Sequence, residues 1–355
     1  MKKENSGRAH SKRPSLEFWF GGKSRIAAKV WSALGSVDNF IEPFAGSLAA
    51  LLARPDDLWQ TGAETVNDAD SYLCNFWRAL AAAPDEVAKW CDWPVNETDL
   101  LARHLWLVNT GRKRISKLEA DSEFYDAKVA GWWVWGINAW IGSGWCSGEG
   151  PWQVIDGVVQ RPHLGNAGRG VNRKRPHLGN AGRGVNRKRP MLAGKYSSER
   201  GPTNRDDLVQ YFQQLANRLR RVRVCCGDWS RVVTNGAMAY GTTVGIFLDP
   251  PYLGDVRTKD LYRVDNHDIA NEVREWAIAN GDDKRLRIAL AGYDEEHAAK
   301  MPDSWRKLAW TGNKSYGTKA AVGSKEGNDA NRANERLWFS PSCIQETSLF
   351  EAMKP

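Results

Sequence analysis

The chain has 355 residues, enough for two domains or for one core carrying a large insertion. Hydrophobic residues make up 42% and charged residues 26%, a globular balance that excludes wholesale disorder. Six Cys without a C-x-x-C pair exclude a disulfide scaffold and a zinc finger of ordinary spacing. The formal net charge of +8 points to a polyanionic partner, while no apolar run reaches membrane-spanning length, so a cytoplasmic protein that does not enter a membrane is expected.

Residues 1–15 are polar and basic, and no apolar stretch follows to make a signal peptide; they read as a flexible basic tail. From Phe18 onward, apolar runs of strand length alternate with helical stretches. Strands are expected at 39–42, 65–67, 222–226, 244–248, 287–291, 307–310 and 336–339. Helices are expected at 23–34, 47–52, 70–82, 205–221 and 266–280. Such alternation implies an α/β fold with a mainly parallel sheet covered by helices on both faces.

Several strand ends carry motifs. FWFGGKS (18–24) combines two Gly, which permit close backbone approach, with the cation Lys23. FIEPFAGS (40–47) is a strand, a Gly turn and a helix start, which aims helix N–H groups at a ligand. TVNDAD (65–70) ends a second strand in Asn67 and Asp68, an acid placed to hold ribose hydroxyls. CCGDWS (225–230) offers Asp228 as an acceptor for an adenine amino group and Trp229 as a stacking face. The adjacent Cys225 and Cys226 read as small buried residues. In 205–221, Leu208, Tyr211, Phe212, Leu215 and Leu219 form an amphipathic helix, and its closing Arg218, Arg220 and Arg221 suit a helix C-terminus.

The sharpest signal is LDPPYLG at 248–254. A strand ending in Asp249 delivers a carboxylate to the carboxyl edge of a parallel sheet, where ligands bind. Pro250 and Pro251 stiffen the turn, and Tyr252 adds a flat face beside two acceptors. Acceptors plus a stacking ring suit a planar heterocycle bearing an amino group.

Between about 95 and 205 the alternation stops. Residues 131–152 hold Trp132, Trp133, Trp135, Trp140, Trp145 and Trp152, read either as a packed core or as wedges into a base stack. RPHLGNAGRGVNRK then occupies 161–174 and recurs unchanged at 175–188, a Gly- and Arg-rich loop rather than a solenoid. Residues 157–198 contain no acid. Arg161, Arg169, Arg173, Lys174, Arg175, Arg183, Arg187, Lys188 and Arg189 read as an arm that follows DNA phosphate, with Lys195 beyond them. The plainer alternative is a solvated loop lengthened by duplication, and the second copy is read that way. No metal partner accompanies His163 or His177, and no metal is expected.

The order F-G-G-K, E-P-F-A-G, N-D-A-D, G-D-W, D-P-P-Y resembles the Dam-like DNA adenine-N6 methyltransferases, whose recognition region precedes D-P-P-Y. The resemblance implies a Rossmann-like class I methyltransferase fold with a seven-stranded sheet. It divides the chain into a catalytic domain at 16–95 and 220–345 and an inserted, mainly helical or loop target-recognition region at 96–219. It further implies S-adenosylmethionine as cofactor and double-stranded DNA as substrate. Phe20, Gly21, Gly22 and Lys23 would line the cofactor site, and Glu42, Pro43, Phe44, Ala45 and Gly46 the turn against its methionine part. Asp68 would hold the ribose, and Asp228 and Trp229 the adenine. Asp249, Pro250, Pro251 and Tyr252 would receive a flipped-out adenine for methylation of its 6-amino group. Leu48 stands where the family's turn usually has a second Gly. The chain shows no nuclease motif, which suits an orphan or phage-type modification enzyme. The alternatives are a DNA-binding regulator with a vestigial site, or a methyltransferase acting on protein glutamine or RNA.

Overall fold

The structure, a computed structural model, describes residues 24–55, 62–121, 123–140, 145–146, 153–155, 158–160, 205–251, 266–309 and 335–345. Its strands are β1 (Asn39–Glu42), β2 (Ala63–Asp68), β3 (Gln153–Ile155), β4 (Val158–Gln160), β5 (Val222–Cys226), β6 (Val244–Leu248), β7 (Leu286–Tyr293), β8 (Arg306–Ala309) and β9 (Glu335–Phe339). Its helices are α1 (Ser24–Leu34), α2 (Ala49–Leu52), α3 (Ser71–Ala82), α4 (Pro84–Cys91), α5 (Glu97–Trp106), α6 (Arg112–Ile115), α7 (Ala127–Ala139), α8 (Arg205–Leu219), α9 (Asn266–Asn280) and α10 (Asp294–His297).

Seven strands form one sheet in the order β5-β2-β1-β6-β7-β9-β8, while β3 and β4 pair as a separate antiparallel hairpin. Neighbours from β5 through to β7 run parallel, and β9 alone runs against its two partners. The central β1 and β6 are buried along their whole length, as the continuous apolar run of β6 requires. Side chains alternate between two cores. Phe40, Phe247 and Ala289 face the core built with α1, α3 and α8. Ile246, Leu248, Ile288 and Leu290 face the core built with Ile269, Val273 and Ala277 of α9. Helices thus cover both faces of an α/β sheet consistent with a class I methyltransferase.

The strand and helix positions expected from the sequence match closely, with one instructive shift. The expected helix at 47–52 starts only at Ala49, because Leu48 takes a left-handed conformation, φ 57° and ψ 27°, and ends the preceding turn. The adjacent thiols also differ: Cys226 is buried but Cys225 only half-buried. In α8, Arg218 is not a simple partner of the helix C-terminus. It reaches across to β2, where Nη1 and Nη2 donate to Glu64 at 2.6 and 2.8 Å, and Nη2 also donates to the Leu51 carbonyl at 2.9 Å. Arg54 Nη1 donates to the same carboxylate at 3.1 Å. This buried trio ties α8 to the sheet.

Helices α5 to α7 lie in the region where the alternation stops, and α4, just ahead of it, is not expected from the sequence. Apolar residues surround α7 on nearly all sides, and its Asp126 cap accepts from Val129 N at 2.9 Å. Trp133 and Trp135 are buried in the same core as α3 and α8. Trp133 stacks on Tyr72 with centroids 6.5 Å apart, and Trp135 Nε1 donates to the Trp93 carbonyl at 2.9 Å. These two Trp are packed, as one of the two sequence readings had it. The tail at 1–15, Phe20 to Lys23, Trp152, Tyr252, the repeat at 161–188 and all the cationic residues of its arm lie outside the described residues.

Candidate active site

The chain runs outward from β1 to β2 to β5, then returns to the other side of β1 as β6. This reversal makes a crevice at the carboxyl ends of β1 and β6, the position where open parallel sheets take ligands. Three adjacent strands end there in acids: Glu42 on β1, Asp68 on β2 and Asp249 directly after β6. Pro250 is buried, and Asp249 and Pro251 are half-buried.

Burial sets the electrostatics. Glu42 is buried, and Leu51 N, at the start of α2, donates to its Oε2 at 3.1 Å. Desolvation pushes its carboxyl well above the ordinary carboxylate range; the Leu51 N–H pulls it back, and nearby Asp249 and Asp68 push it further up. Burial also raises Asp68, although Asp70 N at 2.9 Å and Gly46 N at 3.0 Å donate to its two oxygens and favour the charged form. An edge this crowded with acids favours a ligand that brings positive charge or donors.

Asn67 locks the turn beneath. Its Nδ2 donates to the Pro43 carbonyl at 3.1 Å and to the Gly227 carbonyl at 3.0 Å. Its own carbonyl accepts from Ala45 N at 2.9 Å, and Gly227 N donates to the Asp68 carbonyl at 3.0 Å. The loops after β1 and β5 are therefore joined through one residue of β2. Across the gap, Phe44 and Trp229 stack with centroids 6.1 Å apart, both buried. Leu48 holds the backbone shape that glycine favours while its side chain is fully buried in the core. Leu48 therefore combines a left-handed turn with an apolar anchor.

The structure brings Glu42, Pro43, Phe44, Ala45, Gly46, Asp68, Trp229, Asp249, Pro250 and Pro251 to one edge of the sheet. Asp228 is exposed at this edge, and its Oδ1 accepts from Ser230 N at 2.9 Å, capping a short helical turn. Asp70 was missed by sequence reasoning as part of this acid group. It caps α3 by accepting from Tyr72 N at 2.8 Å, and burial, then the neighbouring Asp68, push it up to about 7. An Asp just ahead of an apolar helix was the available signal. Asn67 was placed at the strand end but not given its fastening role.

The acceptor set at this edge suits S-adenosylmethionine. Among the described residues, the buried Asn67 Oδ1 accepts no hydrogen bond, and the neighbouring acids are acceptors as well. Ribose hydroxyls, an ammonium and a sulfonium are the donors and charges such a set would satisfy. Residues 19–100 match the model of the D12 class N6 adenine-specific DNA methyltransferase family. The matched span runs from the F-G-G-K segment through β1, the Leu48 turn, β2 and α3 into α5. It supports an enzyme, an S-adenosylmethionine-dependent DNA adenine-N6 methyltransferase, and with it DNA adenine methylation as the chemistry. No curated protein matches the chain. No helix among the described residues is long and apolar enough to cross a membrane.

Proposed function

We propose that the chain transfers a methyl group from S-adenosylmethionine to the exocyclic 6-amino group of an adenine flipped out of duplex DNA. The observation that carries this reading is the crevice at the strand reversal, where Glu42, Asp68 and Asp249 end adjacent strands and Pro250 follows Asp249. The bound cofactor supplies a methyl group activated by a sulfonium. The chain's residues supply position and charge.

Asp68, beside the Gly46 turn, holds the ribose. Trp229, already stacked near Phe44, offers its face to the cofactor adenine, with Asp228 accepting from that ring's amino group. Glu42 and the 43–46 turn enclose the methionine part, and Phe20 to Lys23 complete the lining as the family resemblance implies. The target nitrogen is a weak nucleophile because its lone pair is delocalised into the ring. The Asp249 carboxylate and the Pro250 carbonyl accept its two hydrogens, favour a pyramidal nitrogen and stabilise the positive charge that develops. A strong base is not required, because most of the rate comes from holding the amine in line with the methyl group. Extrusion of the base costs a few kcal/mol, part of which Tyr252 returns by stacking. The region at 96–219 reads the target, with its cationic arm along the phosphates.

The test is methyl transfer from labelled cofactor to duplex DNA. Asp249→Ala is expected to lower turnover by about 10²–10³-fold or more, with cofactor affinity within a few-fold of wild type. Near-normal turnover in that variant overturns the assignment. Supplying single-stranded DNA, RNA and protein in parallel separates the substrate classes.

A further inference from the structure

A cleft of about 600 Å³ lies between the end of α4, α5 and α7, and none of the strand ends lines it. Trp90, Trp93, Trp106 and Trp132 line it, with two cations, Lys89 and Arg103, and two acids, Asp92 and Asp99. Trp93 is 48% exposed, a large apolar surface left open to solvent. Its Nε1 donates to Asp99 Oδ2 at 2.5 Å, and Asn96 Nδ2 donates to the same oxygen at 2.6 Å, so the exposed ring is held rather than loose.

Arg103 makes this more than an aromatic patch. It is only 7% exposed, and its guanidinium carbon lies 4.2 Å from the Trp135 ring centre, 5.0 Å from Trp132 and 5.2 Å from Trp93. Its Nη1 is buried and, among the described residues, has no hydrogen-bond partner. A buried guanidinium N–H without an acceptor costs free energy that a ligand acceptor would recover. Lys128 Nζ sits 4.3 Å from the Trp132 centre and 4.4 Å from Trp106, so cations already occupy the electron-rich faces. A further cation gains little from those ring faces, and the Asp99 carboxylate is already engaged by Trp93 and Asn96. The missing component is a planar ring that stacks on Trp93 and presents an acceptor edge to Arg103.

We infer that this cleft binds an unstacked nucleobase, with the O6/N7 edge of guanine the best match to Arg103. Arginine recognises that edge through its planar donors, and indoles supply a stacking surface tolerant of the rest of the nucleotide. The base could come from a free nucleotide or from a strand, and the chemistry of recognition is the same. None of the cleft's lining residues belongs to a strand end, and the inference does not depend on the methyl-transfer reading.

Guanosine 5′-monophosphate and a short guanine-containing single strand are titrated calorimetrically into the full chain, with and without saturating S-adenosylhomocysteine. Saturable one-to-one binding, unaffected by S-adenosylhomocysteine, is expected. Arg103→Gln and Trp93→Ala should each weaken it about tenfold or more, the loss of one stacking or charged contact. Tighter binding of the strand than of the mononucleotide assigns the source to nucleic acid; equal binding assigns it to the free nucleotide. The inference is overturned by no binding, by binding that both variants leave unchanged, or by ribose 5-phosphate binding as tightly as the nucleotide. Displacement by S-adenosylhomocysteine also overturns it, since the nucleotide then occupies the strand-end site. If Arg103→Gln does not fold, the half-exposed Trp93→Ala variant decides. Failure of S-adenosylhomocysteine to bind at all counts against the methyl-transfer reading alone.

Discussion

Removing the Glu64 carboxylate should destabilise the chain more than removing either of the long side chains that reach it. Arg54 and Glu64 have side chains 0% and 1% exposed, and Arg218 is 10% exposed. Glu64 takes one hydrogen bond from Arg54 and two from Arg218, so Glu64→Gln leaves two guanidinium groups facing a neutral amide in a buried setting. Breaking a buried ion pair by losing one partner costs about 3–5 kcal/mol, because the surviving charge is left uncompensated. Arg218→Ala is milder. Glu64 keeps Arg54, and the cost should be roughly 1.5–3 kcal/mol, that of a hydrogen bond to a charged group. Since total stability is about 5–15 kcal/mol, Glu64→Gln consumes a large part of it. Urea unfolding followed by Trp fluorescence measures both. The predicted order of stability is wild type, then Arg218→Ala, then Glu64→Gln. A Glu64→Gln cost under about 1 kcal/mol, or an Arg218→Ala cost that equals it, would refute the reasoning. Because α8 leads directly into β5 and Trp229, the same variant should weaken cofactor binding before it unfolds the sheet.

Other substitutions test the strand-end geometry. Leu48→Ala keeps the left-handed strain and loses the buried side chain, so unfolding should show a loss of about 2–5 kcal/mol; a loss under about 1 kcal/mol would mean the side chain is not an anchor. Asn67→Ala strands two carbonyls and should cost about 1–3 kcal/mol, with a measurable fall in S-adenosylhomocysteine affinity by calorimetry. Asp70 is protonated more readily in the folded than in the unfolded chain, since its folded value is about 7 against the ordinary 3.8. Its contribution is therefore fully present at low pH and is lost as pH rises from about 4 to about 7. Asp70→Asn retains a good cap and should flatten that fall, gaining stability at pH 8 and little at pH 4; an equal effect at both would show that Asp70 titrates normally.

The parts of the fold legible in the sequence are those where local pattern and tertiary environment agree. β6 reads as a strand because a central parallel strand is buried on both faces and so is apolar without interruption. Asp249 follows it, and the edge position of that acid follows from the strand. α7 fails the same test for the opposite reason. Its apolar residues surround the axis, so no 3.6-residue stripe distinguishes it from an apolar run of another kind. α4 did carry a usable signal, Pro84 at its first position and Asp85 and Glu86 in its first turn. The work of Asn67 was not legible, because its partners Pro43 and Gly227 lie 24 and 160 residues away and meet only when the loops after β1 and β5 converge on β2. Glu64 and Arg218, 154 residues apart, pose the same difficulty.

The convergence on Asn67 has a mechanical consequence. With one amide clasping the loops after β1 and β5, and its backbone held by Ala45, those loops cannot shift independently. A ligand that orders the Phe44 side lowers the entropy cost of ordering the Trp229 side, and the reverse holds by reciprocity. The two ends of an extended cofactor would then be sensed as one event: fragments carrying only its adenosine or only its amino-acid half should bind more weakly than their separate contacts suggest, and each should strengthen the binding of the other.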